Sequence, residues 1–288
     1  MARKFLKTPR LMIALFLVAL GVPASVISSA AYPPPTQDAP QGGGGLQGLG
    51  PSGVAFDGAN VWVANSGSNT VSKLRASDGA ALGTFPVGRV PLALVSDGAN
   101  IWVANFGSNT VMKLRADNGA ILGTFAVGVG PAALLFDGAS IWVANFHSRN
   151  VTKLRASDGA ALGTFAVGTL PSALAYDGSS VWVANFGSDN VTKLRASDGR
   201  AQGTSAVGDG PMAIAYDGEN IWVANQISNS VSKLRVSNGG VMGTFSVEDA
   251  PSAILSEGGN IWVANFGSRS VKKLNASSGT AVGTFTVQ

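Results

Sequence analysis

Residues 91–111 read PLALVSDGANIWVANFGSNTV, and variants of this stretch begin at Pro51, Pro131, Pro171, Pro211 and Pro251. The tryptophan returns every 40 residues, at Trp62, Trp102, Trp142, Trp182, Trp222 and Trp262, with no insertion or deletion between copies. A period of this size marks a repeat architecture, in which one supersecondary unit cannot bury its apolar surface alone and needs its neighbours.

Within the second unit, Asp-Gly and Gly-Ser turn signals bound short runs rich in Val, Ile, Trp, Thr and Phe. They predict strands near Ala93–Ser96, Ile101–Asn105, Val111–Arg115 and Ala120–Val127. In Ile101-Trp102-Val103-Ala104 the apolar residues do not alternate with polar ones, so both faces of the sheet should be covered. Four-stranded sheets stacked face to face around an axis meet that demand. The expectation is an all-β, six-bladed β-propeller over residues 51–288. A linear solenoid would favour much shorter coils and distinctive end caps. With no obvious strand before Pro51, the ring is expected to close by packing blade one on blade six without an exchanged strand.

The formal charge of +4 is misleading as a whole-chain value, because Arg3, Lys4, Lys7 and Arg10 carry all of the excess. From Tyr32 onward sixteen cations face sixteen carboxylates, and no nucleic-acid partner is expected. Those four cations precede the apolar run Leu11–Val22 and the small residues Ser28, Ser29, Ala30 and Ala31. This layout reads as a signal peptide over residues 1–31. The run is short against the roughly 20 residues of a spanning helix, so no membrane association is expected unless the segment stays uncleaved. The protein is therefore expected to be secreted or periplasmic. Residues 32–50, with Pro33, Pro34, Pro35, Pro40 and Gly42 to Gly45, read as a flexible linker. The absence of cysteine excludes disulfides and thiolate chemistry.

The signature Pro-x-x-Leu-x-x-Asp-Gly-x-x-Ile-Trp-Val-Ala-Asn-x-x-Ser-Asn-x-Val, clearest over Pro91–Val111, resembles the bacterial YVTN-type propeller repeat, with Trp-Val-Ala-Asn replacing Tyr-Val-Thr-Asn. Related families include NHL repeats, streptogramin lyases and gluconolactonase-like proteins. The resemblance covers all six units and implies the fold. It carries little about function.

Six internal copies separate constant positions from variable ones. The tryptophans are expected to fill the space between blades. Asn65, Asn105, Asn145, Asn185, Asn225 and Asn265 are expected to bond their own turn backbone. Asp57, Asp97, Asp137, Asp177 and Asp217 read as turn formers rather than calcium ligands, and Glu257 replaces them in the last unit. The repeated pair Lys73/Arg75 reads as a solvated outer edge.

The loops joining strands two to three, and strand four to the next unit, share one face of such a ring, and there the copies diverge. Its candidate ligand-binding residues are Arg89, Phe106, Phe146, His147, Arg149, Phe186, Asp189, Asp209, Gln226, Asp249, Phe266 and Arg269. A shallow concavity ringed by Phe and mixed charge suits a ligand or protein partner. Arg89, Arg149 and Arg269 are expected to oppose Asp189, Asp209 and Asp249 and orient it. His147, the single histidine, has no orienting partner in sequence and is not read as a base or metal ligand.

These features favour a non-catalytic scaffold that binds an extracellular or periplasmic protein or a small ligand, without a cofactor. The alternative is a metal-dependent enzyme of the streptogramin-lyase or lactonase kind, which the resemblance implies would hold a divalent cation near the axis. Among the residues outside the repeat consensus only His147, Asp189, Asp209, Glu219, Glu248 and Asp249 offer ligand chemistry, and no carboxylate interrupts the inner strands. A multivalent lectin-like reading would need exposed tryptophans and ranks third.

Overall fold

The computed structural model describes residues 50–287, and the signal-peptide and linker readings over residues 1–49 lie outside them. Unit one folds as β1 (Pro51–Phe56), β2 (Asn60–Asn65), β3 (Thr70–Arg75) and β4 (Ala81–Pro86), an antiparallel sheet in sequence order. Every later unit repeats this sheet, giving 24 strands in six sheets. The first strands of successive sheets pack on one another, so β1 and its equivalents line the inside while β4 and its equivalents form the outer edge. Six units thus make the six blades of a β-propeller.

The Asp-Gly turn is built by its carboxylate. Asp57 Oδ1 accepts from the backbone N–H of Ala59 at 2.9 Å and Asn60 at 2.7 Å, while Oδ2 accepts the Trp62 indole N–H at 2.8 Å. The same indole clamp recurs at Asp97, Asp137, Asp177 and Asp217, at 2.6–2.8 Å. Burial pushes the Asp57 and Asp177 carboxyls up, but these donors outweigh it and hold both below the ordinary 3.8. A depressed folded-state pKa gives stability that is present above the unfolded value and lost as pH falls through the folded one. Asp177→Asn is therefore expected to flatten the fall in melting temperature as the pH drops below the ordinary carboxylate value of 3.8. Melting curves across that range check it.

Trp62, Trp102, Trp142, Trp182 and Trp222 are fully buried. Each lies on the trailing face of its blade against the leading face of the next. Between blades three and four, Trp142, Ala144 and Val151 meet Leu174, Val181, Val183 and Leu194.

The lysines correct the sequence reading. Lys73, Lys113, Lys153 and Lys233 are only 5–7% exposed. Each ammonium lies over its blade's tryptophan, 5.0–5.3 Å from the ring centroid, and donates to two carbonyls in the third-to-fourth turn of the next blade. The outer edge is the fourth strand, not the third, and strand alternation turns the lysine toward the interface. Arg75 does face solvent, paired with Asp78 at 2.9 Å.

The asparagines are structural, as expected, by a different bond. Asn145 Nδ2 donates across the hairpin to Asn150 Oδ1 at 2.8 Å and Thr152 Oγ1 at 2.9 Å. Five of the six leave a buried Oδ1 without a protein partner, so this cost belongs to the blade design rather than to one site.

Closure differs from expectation. Five neighbouring pairs of blades pack through their first strands, but blade six makes no comparable packing on blade one. Trp262 is accordingly only half-buried and Phe285 is 49% exposed.

Candidate functional site

Backbone bonds fix the divergent face. In each of blades two to six the hairpin between the second and third strands is tied to the connection entering that blade. Examples are Phe146 N to Gly130 O at 2.9 Å and His147 N to Val129 O at 3.0 Å. Loop side chains therefore meet across blade boundaries, and two clusters result.

In the first, His147 stands edge-on between Phe106 and Phe146, with centroids 5.5 and 5.2 Å away. Phe146 is buried against Ala132, with Phe106 and Leu170 packed beside it, while His147 stays exposed. Gly130 lies under this pair, and a Cβ there would fall 2.9 Å from the His147 ring and 3.0 Å from Phe106. In the second cluster, Phe186 and Ile227 flank Gly210 in the same way. Phe266, Ile227 and Val129 project from this face at 44%, 62% and 50% exposure.

The charged residues are not brought together as expected. Arg89, Arg149, Asp189, Asp209, Asp249 and Arg269 are all exposed. Among the described residues no ion pair joins the three arginines to the three aspartates; the pairs are Arg75–Asp78, Arg155–Asp158, Arg195–Asp198 and Lys272–Glu248. Asp189 and Asp249 serve local structure, Asp189 Oδ1 accepting from Gly210 N at 2.8 Å and Asp249 Oδ1 from Asn229 Nδ2 at 3.1 Å. Gln226 is half-buried beside its connection. Glu248 faces its own blade, where it accepts from Thr284, Lys272 and Asn265. Burial raises its pKa, but bonds from Thr284 and Lys272 prevail and hold it below the ordinary range. Among the described residues no three of His, Asp and Glu converge as a metal site would require.

Two hairpins, those of blades three and six, depart from the rest in backbone economy. The residue before the third strand is left-handed in every blade, with φ of 51–57°. Asn69, Asn109, Asp189 and Asn229 tolerate this conformation and accept, through Oδ1, the N–H of the connection into the next blade at 2.8–2.9 Å. Arg149 and Arg269 occupy the same position at φ 54° and 51° without such an acceptor, and Arg149 leaves the Leu170 N–H of the following connection without this bond. The strain at Arg149 sits two residues from His147, and the sequence reading placed both residues among the candidate ligand-binding positions without foreseeing it.

Two features were missed. A cavity of about 270 Å³ lies between the third and fourth strands of blade four and the third-to-fourth turn of blade five, lined by Lys193, Gln202, Gly203, Thr204, Ser205, Ser237, Asn238 and Gly239. It includes no predicted site residue. Its cause is Ser205, which stands where the other units have Phe85, Phe125, Phe165, Phe245 and Phe285. At the blade three–four interface, Phe165 covers Gly199, where an added Cβ would lie 2.1 Å from the ring. Ser205→Phe is expected to raise stability by about 1–2 kcal/mol by refilling this space beside Trp182, read by chemical denaturation. The second missed feature is a discontinuous apolar rim on the outer strands, with Leu82, Ile121, Leu122, Leu162, Val241, Met242 and Val282 exposed by 41–56%.

No family model and no curated protein matches the chain. Solved structures do. A streptogramin B lyase structure superposes with a TM-score of 0.71 at 19% identity, over 83% of this chain and 84% of that one. Hydrazine synthase from Kuenenia stuttgartiensis gives 0.74 at 17% identity, over 86% and 89%. The dihydro-heme d1 dehydrogenase NirN gives 0.69 at 14% identity, over 83% of this chain and 56% of that one. At these identities the likeness is one of fold, shared by proteins of different chemistry. With the six sheets, it makes this chain a six-bladed β-propeller.

Proposed function

We propose that the chain is an exported, non-catalytic propeller scaffold that binds an extracellular or periplasmic partner on its divergent loop face. The binding patch is centred on Phe106, Phe146, His147 and Arg149. The carrying observation is Arg149, which gives up a backbone bond kept by four other blades, holds a left-handed conformation, and leaves its side chain in solvent beside an aromatic cluster. Strain retained where the consensus asparagine would relieve it points to a role outside the fold. Export rests on the residue pattern of the first 31 positions.

A photo-cross-linking residue placed at position 149, and for comparison at Asp117 in a third-to-fourth turn on the opposite face, tests the reading. Each variant is exposed to the extracellular and periplasmic proteins of the producing cell. Adducts at 149 alone, competed by the unlabelled protein but not by its His147→Gly/Arg149→Asn variant, are expected. Equal labelling at both positions would sink the proposal. A melting-temperature series with chelator and with Mg²⁺, Ca²⁺, Mn²⁺ and Zn²⁺ separates it from a metal-dependent enzyme. A saturable rise that Asp209→Asn or Asp249→Asn abolishes would favour the enzyme.

A further inference from the structure

The blade interface repeats one lock at five boundaries, with Ser205 in place of its phenylalanine between blades four and five, and its two halves stand apart at the ends of the array. On blade six, Trp262 and Phe285 lie 5.7 Å apart and Lys273 sits 4.9 Å over the Trp262 ring, as in the interior blades. What they lack is the next blade. Lys233 donates to the carbonyls of Ala276 and Ser277, whereas Lys273 makes no hydrogen bond among the described residues. Ser172 Oγ reaches Pro211 O of the following blade at 2.7 Å, while Ser252 reaches only Ala264 O within its own blade.

Blade one carries the complementary half. Val54, Val61 and Leu74 are half-buried, where their equivalents Leu94, Ile101 and Leu114 are buried by the preceding blade. Gly79 has nothing within reach of an added Cβ, whereas at Gly159, its equivalent in blade three, the Phe125 ring lies 2.0 Å away.

We propose that this seam is a docking slot for one further four-stranded β-unit of the same repeat chemistry. Continuity with the five interior interfaces identifies the occupant. It must offer blade six an aliphatic leading face, two free turn carbonyls for Lys273 and a turn glycine beneath Phe285. To blade one it must offer a Trp–Lys–Phe trailing face. One repeat unit presents both faces at once, and a second copy of the chain docked by its terminal blade would satisfy only one of them. The contact is made from apolar area and ammonium-to-carbonyl bonds, so its affinity should change little with salt.

The test uses the full chain and a version with a second copy of residues 128–167 appended after Val287, which continues the repeat in phase. Trp262 emission is isolated by subtracting the spectrum of the matching Trp262→Phe variant. In the parent, at a concentration where light scattering gives a monomer, Trp262 is expected to be quenched by iodide. In the extended chain the quenching should fall several-fold and the melting temperature should rise by several degrees. An appended unit carrying Val143→Glu on its leading face should give neither change. The proposal is overturned if Trp262 of the parent monomer is already protected, because the ring then closes on itself. Protection that disappears on dilution would assign the slot to a second copy and also overturn it. So would an appended unit that leaves quenching and melting unchanged.

Discussion

Trp142→Ala is expected to cost about 3–5 kcal/mol, and Trp262→Ala less than about 2 kcal/mol, although the two residues hold the same place in the repeat. Trp142 is fully buried, its indole donates to Asp137 at 2.7 Å, and the leading face of blade four closes over it. Removing the ring opens a cavity that two rigid sheets cannot collapse to fill. Among the described residues no blade closes over Trp262, and Glu257 does not supply the indole clamp made by the aspartates elsewhere. Chemical denaturation of the two variants reads the difference. Equal losses would mean that blade six is covered.

Lys153→Met should cost about 2–4 kcal/mol, whereas Lys273→Met should be close to neutral. Methionine keeps most of the aliphatic length over Trp142 and removes the donor. That leaves the carbonyls of Ala196 and Ser197, now held at 2.6 and 3.3 Å, without their partner at a closed interface. Lys273 has no such carbonyls to abandon. A double-mutant cycle with Trp142→Phe would separate the ring contact from the hydrogen bonds. A Lys153→Met variant as stable as the parent would contradict the lock.

The period of 40, the strand boundaries and the burial of five of the six tryptophans were legible because they follow from patterns repeated six times. The role of Asp57 was legible only in part. Its turn is written in Asp-Gly, but its bond to Trp62, five residues on, depends on the register of β1 against β2. Lys73 was misread because charge in a strand suggests solvent, and only the order of strands within the sheet shows that the third is covered by the next blade. Closure was not legible at all. It depends on the angle each blade adds to the array, a sum of small twists that no residue encodes by itself.

The candidate site was legible as a list of departures from the repeat, not as an arrangement. Arg149, Asp189 and Arg269 stand at one repeat position and looked alike as charged loop residues. The structure separates them by the backbone bond that Asp189 retains and Arg149 lacks. Ser205 was equally visible as a missing phenylalanine, and its consequence, a cavity, appears only once the neighbouring glycine turn is seen to lie across it.

The account holds that constant residues serve the blades and that departures on the loop face are kept for a partner despite their cost to stability. The melting temperature of Arg149→Asn tests this most directly, because asparagine restores the left-handed consensus and an acceptor for the Leu170 N–H. A rise of about 2–4 °C, corresponding to about 1 kcal/mol in a domain of this size, is the result this account predicts. An unchanged or lower melting temperature would mean that Arg149 serves the fold, and the claim would fail.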